Sequence, residues 1–240
     1  MTKDDFIKLP RLYVDHELRE GQALALSAPQ AHYLRNVLRR NAGDNIRLFN
    51  GRDGEWAAAL EMPDKKLVAA RPAKKLKEQP ADEAETHLLF APLKKGAMDF
   101  LIEKAVELGV THLHPVLTQN TEARRLNENR LRAQIIEAAE QCERLTLPAL
   151  AAPEDLNKKL AGWDRSVPLY ACIERTDAKK LAGPFPGKSA FLIGPEGGFT
   201  ADEKQKIAAP SYVIPADLGE AILRAETAAI FCLSARLLAR

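Results

Sequence analysis

Arg224 and Glu226 stand two residues apart in the stretch 217–228, D-L-G-E-A-I-L-R-A-E-T-A, and a second stretch, 190–200, reads A-F-L-I-G-P-E-G-G-F-T. An arginine at the start of a helix works against the helix dipole. Arg224 therefore points to an anionic or carbonyl-bearing partner, with an ion pair to Glu196 or Glu220 as the alternative. Glu226, in the first turn, is favoured by the same dipole and has a capping role open to it. In the other stretch Gly194, Gly197 and Gly198 let backbone approach a ligand closely. The spacing G-P-E-G-G-F is neither G-x-G-x-x-G nor a loop ending in Gly-Lys-Ser/Thr, so dinucleotide and Walker readings find no support. A plain turn and a ligand loop both remain compatible with these glycines.

The elements that must hold these loops can be read outward from them. Ala190–Ile193 is an apolar strand end, and Thr200 with Glu203 forms a capping box that starts a helix over 201–208. Strand, glycine turn and helix in that order place a ligand at the carboxyl end of a parallel strand. From residue 86 onward, strands over 87–91, 112–117, 167–173, 190–193 and 212–214 alternate with helices over 98–108, 128–143, 155–160 and 201–208. The alternation predicts a mostly parallel α/β sheet. A last helix over 223–238 carries Ile230, Leu233 and Leu237 on one face, to cover the sheet or a second subunit. Two loops at adjacent strand ends could enclose a flat ligand, such as an adenine, between backbone amides and aliphatic side chains.

The first third reads differently. Ser27 and Gln30 form a capping box with Pro29 in the first turn, and Tyr33, Leu34, Val37 and Leu38 are expected to face inward. His32, Arg35 and Arg39 recur as a basic stripe. Strands over 45–49, 55–62 and 67–70, with Asn50-Gly51 as a hairpin signal, predict a small barrel of about 70 residues. Residues 72–85, charged and with two prolines, read as a linker, which sets domains at 1–75 and 86–240 with 76–85 between them. Residues 1–80 carry 15 lysines and arginines against 11 acidic residues, and 81–240 carry 20 against 22. The basic excess thus lies where a polyanion would bind.

Other classes are disfavoured. No run reaches the roughly 18–20 apolar residues of a membrane span. The start, Met1–Pro10, is too charged for a signal peptide, so a cytoplasmic protein is expected. Three widely spaced cysteines give neither a disulfide framework nor a metal half-site, and buried reduced thiols are expected. His112 and His114 share a strand face without a third ligand nearby, so no metal site is expected.

The phrases L-I-G-P-E-G-G-F-T-A-D-E (192–203) and L-G-E-A-I-L-R-A-E-T-A (218–228) resemble the two cofactor-loop motifs of the ribosomal RNA small subunit methyltransferase E family. K-A-V-E-L-G-V (104–110), E-A-A-E-Q-C-E-R (137–144), P-R-L-Y (10–13), H-Y-L-R-N-V-L-R (32–39) and G-D-N-I-R-L-F-N-G (43–51) resemble further family motifs, colinear over nearly the whole chain. Residues 120–125, N-T-E-A-R-R, match the family's segment there only loosely. The family is of the SPOUT class. The resemblance implies an amino-terminal PUA-like domain, a trefoil-knotted carboxyl-terminal domain, S-adenosylmethionine as cofactor and a homodimer. The implied reaction is methylation of uridine N3 in small-subunit ribosomal RNA.

Carried onto this sequence, Leu192, Gly194, Glu196, Gly197, Gly198, Ile214, Leu218, Gly219, Ile222 and Leu223 would hold the cofactor. Arg224 would stabilise charge on the uracil oxygens, Glu226 is a candidate base, and Arg11, His32, Arg35 and Arg39 would contact ribosomal RNA or the small subunit. A methyltransferase acting on transfer RNA and a non-catalytic RNA-binding module are the alternatives.

Overall fold

The computed structural model describes residues 8–64, 67–81, 84–174, 178–185 and 187–239. Residues 1–7, on which most of the leader reading rests, and 82–83 of the expected linker lie outside that set. The chain divides into two units. The first holds the described residues up to 81 together with Ala139–Thr146; the second holds the rest.

In the first unit, strands β1 (Arg11–Tyr13), β2 (Leu24–Ala25), β3 (Asn45–Phe49), β4 (Glu55–Glu61) and β5 (Ala69–Lys77) form one sheet in the order β1-β3-β4-β5-β2. Only β1 and β3 are parallel. One face buries Leu12, Ile46, Leu48, Ala58 and Leu60 against Leu34, as a half-barrel must. Helix α1 (Ala28–His32) begins with the expected capping box, Ser27 and Gln30 each holding the other's backbone N–H.

Two expectations fail here for physical reasons. Residues 72–77, read as linker, continue β5 opposite β4. Backbone pairing holds them while Lys74 and Lys75 stay exposed, and Pro72 sits at a register irregularity where a missing N–H is tolerated. Beyond α1 the chain becomes a π-helix over Tyr33–Val37, with Leu38 N–H bonding Tyr33 C=O at 3.0 Å. The extra residue per turn breaks the α period. Leu34 stays buried, but Tyr33 and Val37 are 41% and 59% exposed, and Arg39 lies beyond the helix with φ 52°.

Arg11 is also elsewhere than expected. Its side chain is 3% exposed, pairs with the equally buried Glu55 at 2.5 Å, and lies 3.6 Å over the Phe49 ring. It donates to the carbonyls of Ala139 and Arg144, both at 2.7 Å. Arg47 reaches Glu143 at 2.7 Å, and Lys77 reaches Glu143 at 3.0 Å. These bonds fasten Ala139–Thr146 to the first sheet. With its side chain buried and all three guanidinium nitrogens bonded inside the unit, Arg11 acts in the fold and is not presented to a phosphate.

Among the described residues of the second unit, eight parallel strands follow the order β11-β13-β10-β12-β6-β7-β8, with β9 also on β7. They are β6 (Thr86–Phe90), β7 (His112–Leu117), β8 (Ala149–Leu150), β9 (Glu154–Asp155), β10 (Leu169–Cys172), β11 (Lys179–Lys180), β12 (Ser189–Ile193) and β13 (Val213–Asp217). Every residue of β6 and β12 is buried, as central parallel strands covered on both faces require. The helices are α2 (Lys95–Glu107), α3 (Glu128–Gln141), α4 (Leu156–Ala161), α5 (Ala201–Ala208) and α6 (Ala225–Leu238). Among the described residues no helix is long and apolar enough to cross a membrane, and no three His, Cys, Asp or Glu side chains are placed to hold a metal ion. Of the cysteines only Cys232 is buried; Cys142 is exposed just beyond the end of α3, against the expectation of buried thiols.

At the amino ends of β6 and β7, His87, His112 and His114 stack with centroids 4.3–6.1 Å apart, edged by Trp163. Burial pushes all three imidazoles down, His114 to about 3, with Lys159 repelling its charged form. Glu85, which also bonds Lys188, partly offsets this at His87. The folded state therefore binds fewer protons than the unfolded one below the ordinary histidine value of about 6.5. Stability is complete above that pH and falls as pH drops from about 6.5 towards 3. His114→Gln should lose less denaturant resistance between pH 7.5 and pH 5 than the parent; an equal loss would count against the histidine stack. Arg11→Ala should destabilise the first unit by about 2–3 kcal/mol, because the buried Glu55 loses its nearest partner and keeps only the longer contacts to Arg47 at 3.7 Å and Lys77 at 3.5 Å. Denaturant unfolding measures this, and a change below about 1 kcal/mol would contradict the structural role.

Candidate active site

The carboxyl ends of three neighbouring strands are level. Cys172 of β10 lies beside Ile193 of β12 and Ala216 of β13, and all three border one cavity of about 440 Å³. The volume is within the range of about 300–1,000 Å³ usual for small-molecule sites. Its walls come from the two loops singled out in the sequence: 194–196 with 198–199 after β12, and 217–225 from the last residue of β13 to the first of α6.

The glycine loop is held from behind. Thr200 and Glu203 form the expected capping box, the carboxylate accepting from Thr200 N–H at 2.9 Å. The same carboxylate, 6% exposed as a residue, accepts from Gln119 N–H at 2.8 Å. The next side chain, Asn120, donates Nδ2 to the carbonyls of Gly197 and Gly198 at 3.2 and 3.0 Å. One residue thus clamps two peptides of the loop. Gly194 packs on Phe199 so closely that an added Cβ would come within 2.9 Å of its ring. Gly198 has φ 68° with open space where a Cβ would be, so the need for glycine there is conformational.

The opposite wall is apolar and exposed. Leu218, Ala221, Ile222 and Leu223 line it, and Ile222 is 63% exposed. Arg224 follows at the N-cap of α6 with φ −64° and ψ 155°, and its side chain makes no capping bond. Ser, Thr, Asp or Asn usually occupy this position, so capping does not explain an arginine. Its side chain has neither an ion pair nor a hydrogen bond among the described residues, so the proposed pairing with Glu196 or Glu220 does not form. Glu226 is in the first turn of α6, as expected.

Of the expected cofactor residues, the cavity brings together Gly194, Glu196, Gly198, Leu218, Gly219, Ile222 and Leu223, with Arg224. Leu192 is instead fully buried in the core beneath it, Gly197 faces Asn120, Ile214 is a 41% exposed residue of β13 outside the lining, and Glu226 is off the lining. Among the basic residues of the first unit, Arg35 donates to the carbonyls of Asp64 and Leu67, whereas His32 and Arg39 are exposed. Sequence reasoning missed Cys172, Ile173, Glu174 and Lys204 in the lining and the Asn120 clamp. Applying the strand-end rule to β10 as well as β12 would have found the first three. Cys172 Sγ is 3.4 Å from Cys232 Sγ; that contact and burial push the Cys232 thiol up.

Residues 80–237 match the family described as the RNA methyltransferase domain, and residues 26–72 the one described as the RNA methyltransferase PUA domain. The fold and cavity therefore define an RNA methyltransferase with an attached PUA domain. Ribosomal RNA small subunit methyltransferase E of Rickettsia conorii is 34% identical over 232 residues, 93% of each chain. That of Synechocystis is 32% identical over 237 residues, 95% of this chain and 77% of the other. The crystal structure of the Neisseria gonorrhoeae enzyme of that name, bound to S-adenosylmethionine, superposes with a TM-score of 0.82 at 31% identity, covering 95% and 96% of the chains. The chain belongs to the ribosomal RNA small subunit methyltransferase E family.

Glu203 joins two backbone N–H groups, of Gln119 and Thr200, and the Thr200 hydroxyl in one buried carboxylate. Glu203→Ala should cost about 1–3 kcal/mol and speed amide exchange at Gln119 and Thr200. Unchanged protection at Gln119 would show that the carboxylate does not hold that segment.

Proposed function

We propose that the protein transfers a methyl group from S-adenosylmethionine to N3 of a uridine in small-subunit ribosomal RNA. The observation that carries this reading is the single cavity in which both family loop motifs meet, one giving glycine backbone and the other aliphatic side chains with an unpaired arginine. The residues fit the cofactor: peptides 194–198 can meet polar groups, while Leu218, Ile222 and Leu223 can flank an adenine. Bound there, S-adenosylmethionine supplies an electrophilic methyl on its sulfonium. As the C–N bond forms, the C–S bond breaks and the uridine N3 proton must leave.

The chain's own work is positioning and charge control. Loss of the N3 proton spreads negative charge over the uracil carbonyl oxygens. The Arg224 guanidinium, at the cavity and free of other partners, is the donor for that charge. Glu226, in the first turn of α6, is either the base or a helix cap. The first unit, read here as a PUA-like domain that runs to the end of β5 at Lys77 and not only to 75, joined to a knotted methyltransferase domain over 86–240, holds the RNA with His32 and Arg39. Phe100, Phe231, Leu237 and Leu238 are 41–86% exposed on α2 and α6, an apolar face suited to a second copy in a homodimer. A ribosomal substrate implies a cytoplasmic location.

The test is incubation with labelled cofactor and, separately, small ribosomal subunits, free ribosomal RNA and transfer RNA, followed by mapping of the modified base. Label at N3 of a small-subunit uridine is expected; label only in transfer RNA, or none, overturns the assignment. In single-turnover reactions Arg224→Ala should be slower by roughly 100-fold or more with cofactor affinity little changed, and Arg224→Lys should recover part of the rate. A near-normal rate in the Ala variant would remove Arg224 from the chemistry.

A further inference from the structure

The π-helix of the first unit turns two large apolar side chains, Tyr33 and Val37, out of the core and into solvent. An ordinary α-helix would have kept them on the face of Leu34, which is fully buried, so the bulge gives up apolar burial to expose an aromatic ring. Such bulges recur at functional sites. Here the exposed ring does not stand alone. His32 precedes it, Asn36 lies within the same segment, and Arg39 follows in a left-handed conformation; all three are exposed. Neither His32 nor Arg39 makes an ion pair among the described residues, although carboxylates pair with other cations of this unit, Arg47 and Arg71 among them.

An unpaired arginine and an imidazole hydrogen-bonding group around an exposed aromatic and an aliphatic side chain match the chemistry of single-stranded nucleic acid. These polar groups meet phosphates, and the ring offers a stacking platform that any base can use. An apolar protein partner would leave the arginine without a counter-charge; a duplex would meet the arginine but present no free base to the ring.

We propose that the π-helix is a docking surface for a single-stranded RNA segment, with a base stacked on Tyr33 beside Val37 and neighbouring phosphates on Arg39 and His32. This rests on the reading of RNA as substrate. It divides the work between two physically distinct contacts. Stacking adds affinity that is insensitive to salt, whereas phosphate contacts add affinity that salt removes.

The experiment measures anisotropy of a labelled, unstructured RNA oligonucleotide with the full chain over a salt series. Tyr33→Ala should weaken binding about 5-fold to 150-fold, the range for one stacked base, while leaving the log–log salt slope unchanged. Tyr33→Phe should bind as the parent does. Arg39→Ala should lower the slope by about 0.7. Because Tyr33 is outside the core, unfolding of the Ala variant should match the parent and separate lost binding from lost fold. Parental affinity in Tyr33→Ala, or a fall in slope that accounts for its weaker binding, overturns the proposal and leaves the patch to a protein partner. A parent chain that binds no RNA overturns the substrate reading as well, so the two failures are distinct.

Discussion

The buried Glu203 carboxylate is the point on which the site depends. A carboxylate removed from water must be satisfied by donors, and here they are the backbone of Thr200 and of Gln119, 84 residues earlier in the chain. By capping α5 it fixes the direction in which the glycine loop leaves β12. By holding Gln119 it sets Asn120 against the carbonyls of Gly197 and Gly198. The loop peptides then have one arrangement before any ligand arrives. The strand ends of β10, β12 and β13, level in register, supply the floor that this arrangement faces.

The arginines of this chain are used in two opposite ways. In the first sheet Arg11 and Arg47 are spent on Glu55 and Glu143, and desolvation lowers the Arg11 guanidinium's affinity for its proton even beside that carboxylate. Arg224 and Arg39 stand at the surface with no counter-charge among the described residues. A buried arginine stabilises only as part of its network, while an unpaired exposed one keeps its donors for a ligand. That contrast, and not the count of basic residues in the first third, marks the cations suited to RNA.

Local signals in the sequence were readable because their physics is local. Both capping boxes, the helix over 201–208 and the strands over 45–49 and 112–117 follow from neighbours three or four residues apart or from simple alternation. The glycine loop and Arg224 were legible as a candidate site for the same reason. What escaped depends on distant partners. Arg11 read as a surface cation because Glu55, 44 residues on, and the carbonyls of Ala139 and Arg144 become its neighbours only in the fold. The strand over 72–77 carries no apolar period because pairing to β4, not burial, defines it. Tyr33 and Val37 fit an α period that the backbone does not keep.

The central claim is that the loops after β12 and β13 together form the cofactor site. Amide chemical-shift mapping during titration with S-adenosylhomocysteine tests it without turnover. The account predicts saturable shifts concentrated at residues 194–199 and 217–225, with Asn120 following them, and none at the second cavity beside Asn157, Arg165, Lys206 and Tyr212. Saturable shifts centred on that second cavity, or no shifts at the two loops, would contradict it.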